Sequence, residues 1–288
     1  MNTKTTQEHS VPKGTDAQRL QEYGVALFPA AATKSALKKA LKRGLITVNG
    51  QPATSAAMVA ADDRIVFRPP EIPTAKTLDL PLDVLFEDDH LAVVRKPAGL
   101  LVSGNAFRTV ANALPANLQP SPAADAIRPQ PAHRLDYATS GVLLVGKTAS
   151  ALRDLNRLFA ERAVSKEYRA VTTGSMEPEG VVNLPVDGKP ARSEYAVLQS
   201  VKSERFGCLN IVALRPHTGR RHQLRKHLAA LGHPILGDRE YTPAGQLLNG
   251  KGLYLHAYAL RFEHPATGRG IYVEAPLPAK FGRLFTVG

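Results

Sequence analysis

The chain has 288 residues, 43% hydrophobic and 22% charged, which is ordinary for a folded protein and enough for one large core plus a small accessory domain. It carries 37 Lys and Arg against 25 Asp and Glu, a formal net charge of +12. This excess favours a polyanionic partner such as nucleic acid, although a merely solvated surface would also explain it. The single cysteine, Cys208, excludes an internal disulfide and a cysteine-based zinc site. No apolar run approaches the ~20 residues of a membrane span, and the polar N-terminus is unlike a secretory signal, so we expect a cytoplasmic protein.

The first predicted element is a basic helix. Residues 1–16 are polar and lack periodicity, so we expect no regular structure there. Ser35 is predicted to cap a helix that stops at Gly44, with Leu37 and Leu41 sharing its apolar face. The other face is cationic through Lys38, Lys39, Lys42 and Arg43. Such a face is equally typical of a solvated helix without a ligand.

A hairpin and a linker follow this helix. Residues 45–48 predict a strand, and Asn49-Gly50 is the strongest short signal for a tight hairpin turn. A further strand is predicted over residues 64–67. Three prolines, Pro69, Pro70 and Pro73, then predict a linker.

Beyond the linker, the pattern alternates between strands and helices. Residues 91–94 predict a strand, whereas the Pro- and Ala-rich residues 115–131 predict a long surface loop. Leucines at helical spacing predict a helix over about residues 149–162. Alternating polarity then places Tyr168 in a strand, where a tyrosine commonly packs across the sheet.

One carboxylate lies in a short polar loop directly before an apolar strand. The loop contains His133-Arg134-Leu135-Asp136 and Thr139-Ser140-Gly141, and residues 142–145 follow as the strand. A carboxylate held at a strand edge is a candidate nucleophile or base. An aspartate among turn-forming residues is also explained by hydrogen bonds to backbone amides.

A basic run near residues 215–228 predicts a second cationic helix. Leu224, Leu228 and Leu231 repeat at helical spacing, and Arg221 and Arg225 lie one turn apart. A solvated cationic face is the alternative interpretation. The histidines of this run lie five residues apart, which suits no single helical face and disfavours a metal site.

Three of these motifs together resemble the RluA-type pseudouridine synthases, which isomerise uridine to pseudouridine within RNA. They are the loop of residues 133–141, the Lys-x-Tyr-x-Ala pattern of residues 166–170, and the Gly-Arg-x-His-Gln-x-Arg pattern of residues 219–225. Residues 84–102, 232–238 and 255–257 extend the resemblance. Tyr137-Ala138 departs from the charged pair often found in the family at that place.

The resemblance implies a fold and a catalytic set. The fold would be α+β, with a central mixed, largely antiparallel sheet in the catalytic domain. Asp136 would be the essential aspartate, and Tyr168 would stack on a uracil turned out of the RNA. Arg225 would pair with Asp136 and keep it ionised.

The resemblance also implies a substrate-binding set and no cofactor. Arg134 would fill the space left by the displaced base, and Leu255 would form an apolar wall of the pocket. The remaining members of the set are His133, Arg221, His222 and Gln223. No metal or redox cofactor is required for this reaction.

Residues 35–50 and 62–65 resemble a small RNA-binding module named after a ribosomal small-subunit protein, the S-four domain. The implied organisation is a tail over residues 1–16, a small α/β RNA-binding domain over 17–72, and the catalytic domain over 73–288. The expected partner of a monomeric protein is structured RNA, ribosomal first and transfer RNA next, with no membrane. A non-catalytic RNA-binding or ribosome-assembly protein on the same fold is the alternative. A nuclease is disfavoured because the sequence lacks the clustered carboxylates that a two-metal site needs.

Overall fold

A computed structural model describes residues 6–25, 27–28, 31, 33–68, 77–243 and 245–285. The chain divides into two compact units, Met1–Ala75 and Lys76–Gly288. The predicted linker prolines lie outside the described residues. No helix in the described ranges is long and apolar enough to cross a membrane.

The smaller unit packs two short helices against a four-stranded antiparallel sheet. Its sheet has the order β1-β6-β3-β4, and β2 pairs with β5 beside it. Leu37, Leu41, Ile46, Ile65 and Phe67 are among the residues of its own hydrophobic core. The elements are β1 (Gln7–Ser10), β2 (Gln18–Arg19), α1 (Leu20–Tyr23), α2 (Lys34–Lys42), β3 (Ile46–Val48), β4 (Gln51–Pro52), β5 (Met58–Val59) and β6 (Arg64–Phe67).

Two sequence predictions for this unit were wrong in detail. The predicted irregular tail contains β1, because its backbone pairs with β6 from Gln7–Phe67 to Ser10–Arg64. The helix is capped by Thr33 rather than Ser35, since the Thr33 hydroxyl accepts from the amide of Ala36 at 3.1 Å. The hairpin turn is as predicted, with φ of 50° at Asn49 and 84° at Gly50.

The larger unit is built on a ten-stranded sheet. Its main path is β12-β13-β14-β11-β15-β10-β8-β7, with β16 added to β15 and β9 added to β10. The strands are β7 (Asp83–Glu87), β8 (Leu91–Lys96), β9 (Ala126–Pro131), β10 (Ser140–Thr148), β11 (Ser165–Thr173), β12 (Glu179–Val182), β13 (Ser193–Ser203), β14 (Gly207–Pro216), β15 (Leu255–Glu263) and β16 (Gly270–Glu274). The helices are α3 (Val110–Asn117), α4 (Ala149–Ala160), α5 (Gln223–Ala230) and α6 (Ala279–Phe285).

The pairing confirms the predicted α+β fold with a mixed, largely antiparallel sheet. The pair β10–β15 is parallel, with Ser140 beside His256 and Gly141 beside Ala257, whereas the other pairs of this sheet are antiparallel. Gly141 has φ of 118°, and a Cβ there would overlap the carbonyl of Ala257. The parallel contact thus requires glycine where β10 begins.

The predicted loop over residues 115–131 was wrong at both of its ends. Its first residues complete α3, which is capped by Thr109 and includes Pro115. Its last residues form β9, which pairs with β10 from Pro131–Val145 to Ala126–Thr148. Proline is tolerated in β9 because this strand pairs on one side, so its missing amides face no second partner.

Candidate active site

Asp136 lies on the loop of residues 132–139 that joins β9 to β10, and several bonds hold this loop. The Tyr137 carbonyl accepts from the Gly99 amide at 2.8 Å and from Lys96 Nζ at 3.2 Å. The Thr139 amide donates to the Asp136 carbonyl at 3.1 Å. Lys96 is fully buried, and burial lowers its pKa to about 8 against the opposing charge of Asp136.

The loop opens onto a cleft of about 510 Å³. Three parts of the chain meet there: the Asp136 loop, the end of α4 with the start of β11, and the residues that lead into α5. Its walls include His133, Arg134, Asp136, Phe159, Arg162, Lys166, Tyr168, His222, Gln223, Arg225 and Leu255.

The Asp136 carboxylate is held near its neighbours without a hydrogen bond from any described residue. Its side chain is 31% exposed. His222 Nε2 lies 3.7 Å from Oδ1, and Arg225 Nη1 lies 4.0 Å from Oδ2. The carboxylate can therefore still accept a hydrogen bond from a ligand, while His222 Nε2 and Arg225 Nη1 lie close to it.

Arg225 has closer partners than Asp136. Its Nε and Nη2 donate to the two carboxylate oxygens of Asp238, each at 2.7 Å, and Nη2 also donates to Glu240 at 3.0 Å. Burial alone would lower the pKa of Arg225, but these bonds and charges raise it well above its ordinary value. The fork matches Asp238 because that carboxylate is fully buried and needs a bidentate cation.

His222 stands between the aspartate and Tyr241 in a strained backbone conformation. Its φ and ψ are 56° and 25°, in the left-handed region, directly before α5. Nδ1 lies 2.9 Å from the Tyr241 hydroxyl, which can donate to it and so leave the ring proton on Nε2 toward Asp136. Burial lowers the pKa of His222; Asp136 opposes this, and Arg225 adds to it.

Tyr168 and Leu255 provide the less polar walls of the cleft. Tyr168 is half-buried on β11, and burial together with the nearby charge of Asp136 raises its pKa, so the phenol stays neutral. Leu255 is 4% exposed at the start of β15. An aromatic face and an aliphatic wall next to a carboxylate suit a planar, uncharged base.

The remaining predicted residues differ in how they meet the cleft. Arg134 is exposed and lines it, whereas Arg221 is exposed but does not. His133 accepts from the Leu144 amide at 3.0 Å and packs on Phe159, and burial lowers its pKa to about 4. The Gln223 side chain accepts from the Thr218 hydroxyl and the Arg220 amide and donates to the Arg192 carbonyl and the Ser193 hydroxyl, so these bonds fix it in the wall.

Comparisons with known proteins agree on one family. The family model for RNA pseudouridylate synthase matches residues 90–230. The dual-specificity RNA pseudouridine synthase RluA of Escherichia coli (strain K12) is 38% identical over 73% of this chain and 96% of its own. The ribosomal large subunit pseudouridine synthase D of Nitrosomonas europaea is 33% identical over 96% of this chain and 86% of its own. The solved human RNA pseudouridylate synthase domain containing 4 has a TM-score of 0.58 and 28% identity, covering 69% of this chain and 90% of its own.

The chain belongs to the RluA-type pseudouridine synthases. It is therefore an isomerase that acts on RNA, which is the activity expected from its motifs. This identification was available from the motifs alone because they occur in family order along most of the chain.

Several residues at the site of this synthase were not predicted. Asp238, Glu240 and Tyr241 come from the loop after α5, and only the fold brings them behind Asp136 and Arg225. Lys166 could have been predicted, because residues two apart on a strand share a face and Tyr168 was already a candidate. Arg162 was hidden inside a helix predicted to be two residues too long.

The four predicted RNA-binding cations of the synthase all face solvent. Lys38, Lys39, Lys42 and Arg43 are exposed on α2 or directly after it. Within the described ranges, none of the four forms an ion pair, whereas Lys34 of the same helix pairs with Glu22.

No group of three or more His, Cys, Asp or Glu side chains in the described part of the chain is arranged to hold a metal ion.

Proposed function

We propose that this synthase isomerises specific uridines in structured ribosomal RNA, with transfer RNA as the second candidate. The name of one relative, a ribosomal large subunit pseudouridine synthase, supports ribosomal RNA, and another relative is called a dual-specificity RNA pseudouridine synthase. We further propose that it works as a cytoplasmic monomer without a metal ion. The basic balance of the chain supports an RNA partner.

We assign the chemistry to Asp136. The reaction breaks the bond between C1′ of the ribose and N1 of uracil, turns the base, and joins C5 to C1′; the C5 proton leaves and N1 gains one. Asp136 either attacks C1′ or removes a ribose proton. The observation that carries the assignment is one cleft lined by Asp136, Tyr168 and Arg225, with the carboxylate open toward it.

The other groups would position the substrate. Tyr168 would stack on the displaced uracil, and Leu255 would support its other side. Arg134, exposed at the mouth of the cleft, would occupy the gap in the RNA. Arg225 and His222 would keep Asp136 ionised, since each lies within 4.0 Å of one of its oxygens. The module over residues 17–72 would add contacts to RNA through its exposed cations.

Replacing Asp136 with Asn tests the assignment while keeping the size of the side chain. We expect release of tritium from RNA labelled at uridine C5 to fall by on the order of 10³-fold or more, because the isostere can neither attack nor accept a proton. Asp89→Asn, an exposed carboxylate between β7 and β8, is the matched control and should keep full activity.

Mapping of pseudouridine by carbodiimide-dependent reverse-transcription stops identifies the target RNA. A site that is lost with the gene, restored by the wild-type chain and not by Asp136→Asn, would support the assignment. Equal activity of Asp136→Asn and Asp89→Asn would refute it and favour a non-catalytic RNA-binding role for this cleft.

A further inference from the structure

The end of α4 holds an arginine where helices usually have glycine. Glu161 caps the helix, and the next residue, Arg162, has φ of 61°. The Arg162 amide donates to the Phe159 carbonyl at 3.3 Å, and the Ala163 amide donates to the Leu158 carbonyl at 2.8 Å. This is the Schellman pattern, whose left-handed position strongly favours glycine because other residues are strained there.

The surroundings of the Arg162 side chain suggest a role in ligand binding. Arg162 is exposed and lines the cleft that contains Asp136. Its guanidinium has no acceptor among the described residues. A residue that strains its own backbone, and whose side chain forms no hydrogen bond within the described protein, is a candidate ligand-binding group.

Lys166 brings a second unpaired cation to the same wall. It lies on β11 two residues before Tyr168, so the two side chains share a strand face, and both line the cleft. Burial lowers the pKa of Lys166, and the positive charge of Arg162 lowers it further. No described carboxylate pairs with Lys166.

The acid on the same strand does not neutralise this pair. Glu167 is directed to the other face of β11, where it binds Arg169 and, at 3.1 Å, Arg215. The wall near Arg162 therefore concentrates positive charge that the described protein leaves uncompensated. Bringing an anion between the two cations would remove their repulsion and complete their hydrogen bonds.

We propose that Arg162 and Lys166 form a binding site for a backbone phosphate of the RNA strand that carries the target uridine. The inference rests on the proposed role of this cleft in uridine isomerisation. A phosphate fits because it follows every base that enters the cleft, and because Tyr168, two residues from Lys166, is the proposed platform for that base. Arg162 supplies a planar pair of donors, and Lys166 supplies a point charge.

The experiment uses Arg162→Gly, a change with opposite effects on folding and on binding. Glycine relieves the left-handed strain, so the Tm should rise by about 1–4 °C, whereas Arg162→Ala keeps the strain and should not raise it. Both variants should bind total ribosomal RNA, taken from cells that lack the gene, about 3- to 10-fold more weakly than wild type. The slope of log affinity against log salt should fall by about 0.7–0.9, one phosphate contact.

Lys166→Gln and Arg153→Gln complete the comparison. Lys166→Gln should reproduce the binding loss, and Arg153→Gln should bind as wild type, because Arg153 is an exposed cation of α4 that does not line the cleft. Unchanged affinity and salt slope in Arg162→Gly would overturn the proposal, as would an equal loss in Arg153→Gln. Binding is measured without turnover, so it can fail separately from the tritium-release test of Asp136.

Discussion

Arg225 binds two carboxylates of the fold and also lies beside Asp136, the proposed catalytic residue. Its guanidinium is 6% exposed and lies near three carboxylates: the buried Asp238, the exposed Glu240 and the half-buried Asp136. Tyr241 covers the guanidinium, its ring centre 4.9 Å from the arginine carbon. Loss of this side chain would therefore remove charge behind Asp136 and leave Asp238 buried without its bidentate partner.

We predict that Arg225→Ala lowers the free energy of unfolding by about 3–5 kcal/mol, because it strands a buried carboxylate. The double variant Arg225→Ala with Asp238→Ala should recover part of this loss, while tritium release stays low in both. Chemical denaturation of the two variants and the wild type measures the effect. Identical stability of the single and double variants would contradict the role of Asp238 as the main partner.

At the residue scale, sequence motifs identified the three groups proposed for the chemistry but not the residues that hold them. Asp136, Tyr168 and Arg225 were recognisable because each lies in a local pattern. Their supports were not, since the bonds from Tyr241 to His222 and from Asp238 to Arg225 depend on where the loop after α5 folds back. The predicted pairing of Arg225 with Asp136 is present only at 4.0 Å, for the same reason.

At the scale of elements, the parallel contact of β10 and β15 supports the Asp136 loop. Ser140 begins β10 four residues after Asp136, and its hydroxyl lies 2.8 Å from His256 Nδ1. His256 Nε2 faces the Ala275 carbonyl at 3.3 Å. A neutral ring satisfies both partners by accepting from Ser140 and donating to Ala275, whereas a protonated ring would force the Ser140 hydroxyl to turn away.

Burial lowers the pKa of His256 to about 4, so its titration should appear in the stability of the protein. The unfolded chain binds this proton below about pH 6.5 and the folded chain only near pH 4, so stability is lost as the pH falls through that window. We predict that the free energy of unfolding falls by about 1–2 kcal/mol more from pH 7 to pH 5 in wild type than in His256→Gln. Denaturant unfolding at both pH values checks this, and parallel pH profiles would rule it out.

Element prediction succeeded where patterns were local, and two of its failures are strands whose own residues do not reveal their pairing. The strand at residues 91–94, the helix of α4 and the Asn49-Gly50 turn all follow from neighbouring residues. β1 and β9 could not be predicted, because their composition is polar or proline-rich and their regular structure comes from pairing with β6 and β10.

At the scale of the whole molecule, the two units have separate hydrophobic cores. The smaller unit encloses its own apolar cluster around Leu37 and Ile65. Its four exposed cations on and after α2 have no ion-pair partner within the described ranges. These features support a module that adds RNA affinity without taking part in the chemistry.

We predict that deleting residues 1–72 weakens binding to ribosomal RNA and flattens its salt dependence, by about 0.7–0.9 in slope for each cation that contacts a phosphate. Changing Lys38, Lys39, Lys42 and Arg43 to Gln in the full chain should flatten it to a similar degree, which separates lost charge from lost structure. Filter binding over a salt series gives both slopes. A slope unchanged in both variants would mean that this module does not touch RNA.

The bond between Ser140 and His256 joins residues 116 positions apart, and this separation has a consequence for synthesis. During synthesis, the Asp136 loop and β10 are made long before β15, the parallel partner of β10. Chains that stop before Leu255 would carry the basic helix and the cationic wall of the cleft, yet no anchored aspartate. From the RNA contacts proposed for these cations, we expect such fragments to bind RNA without modifying it and so to compete with the complete enzyme for the same sites.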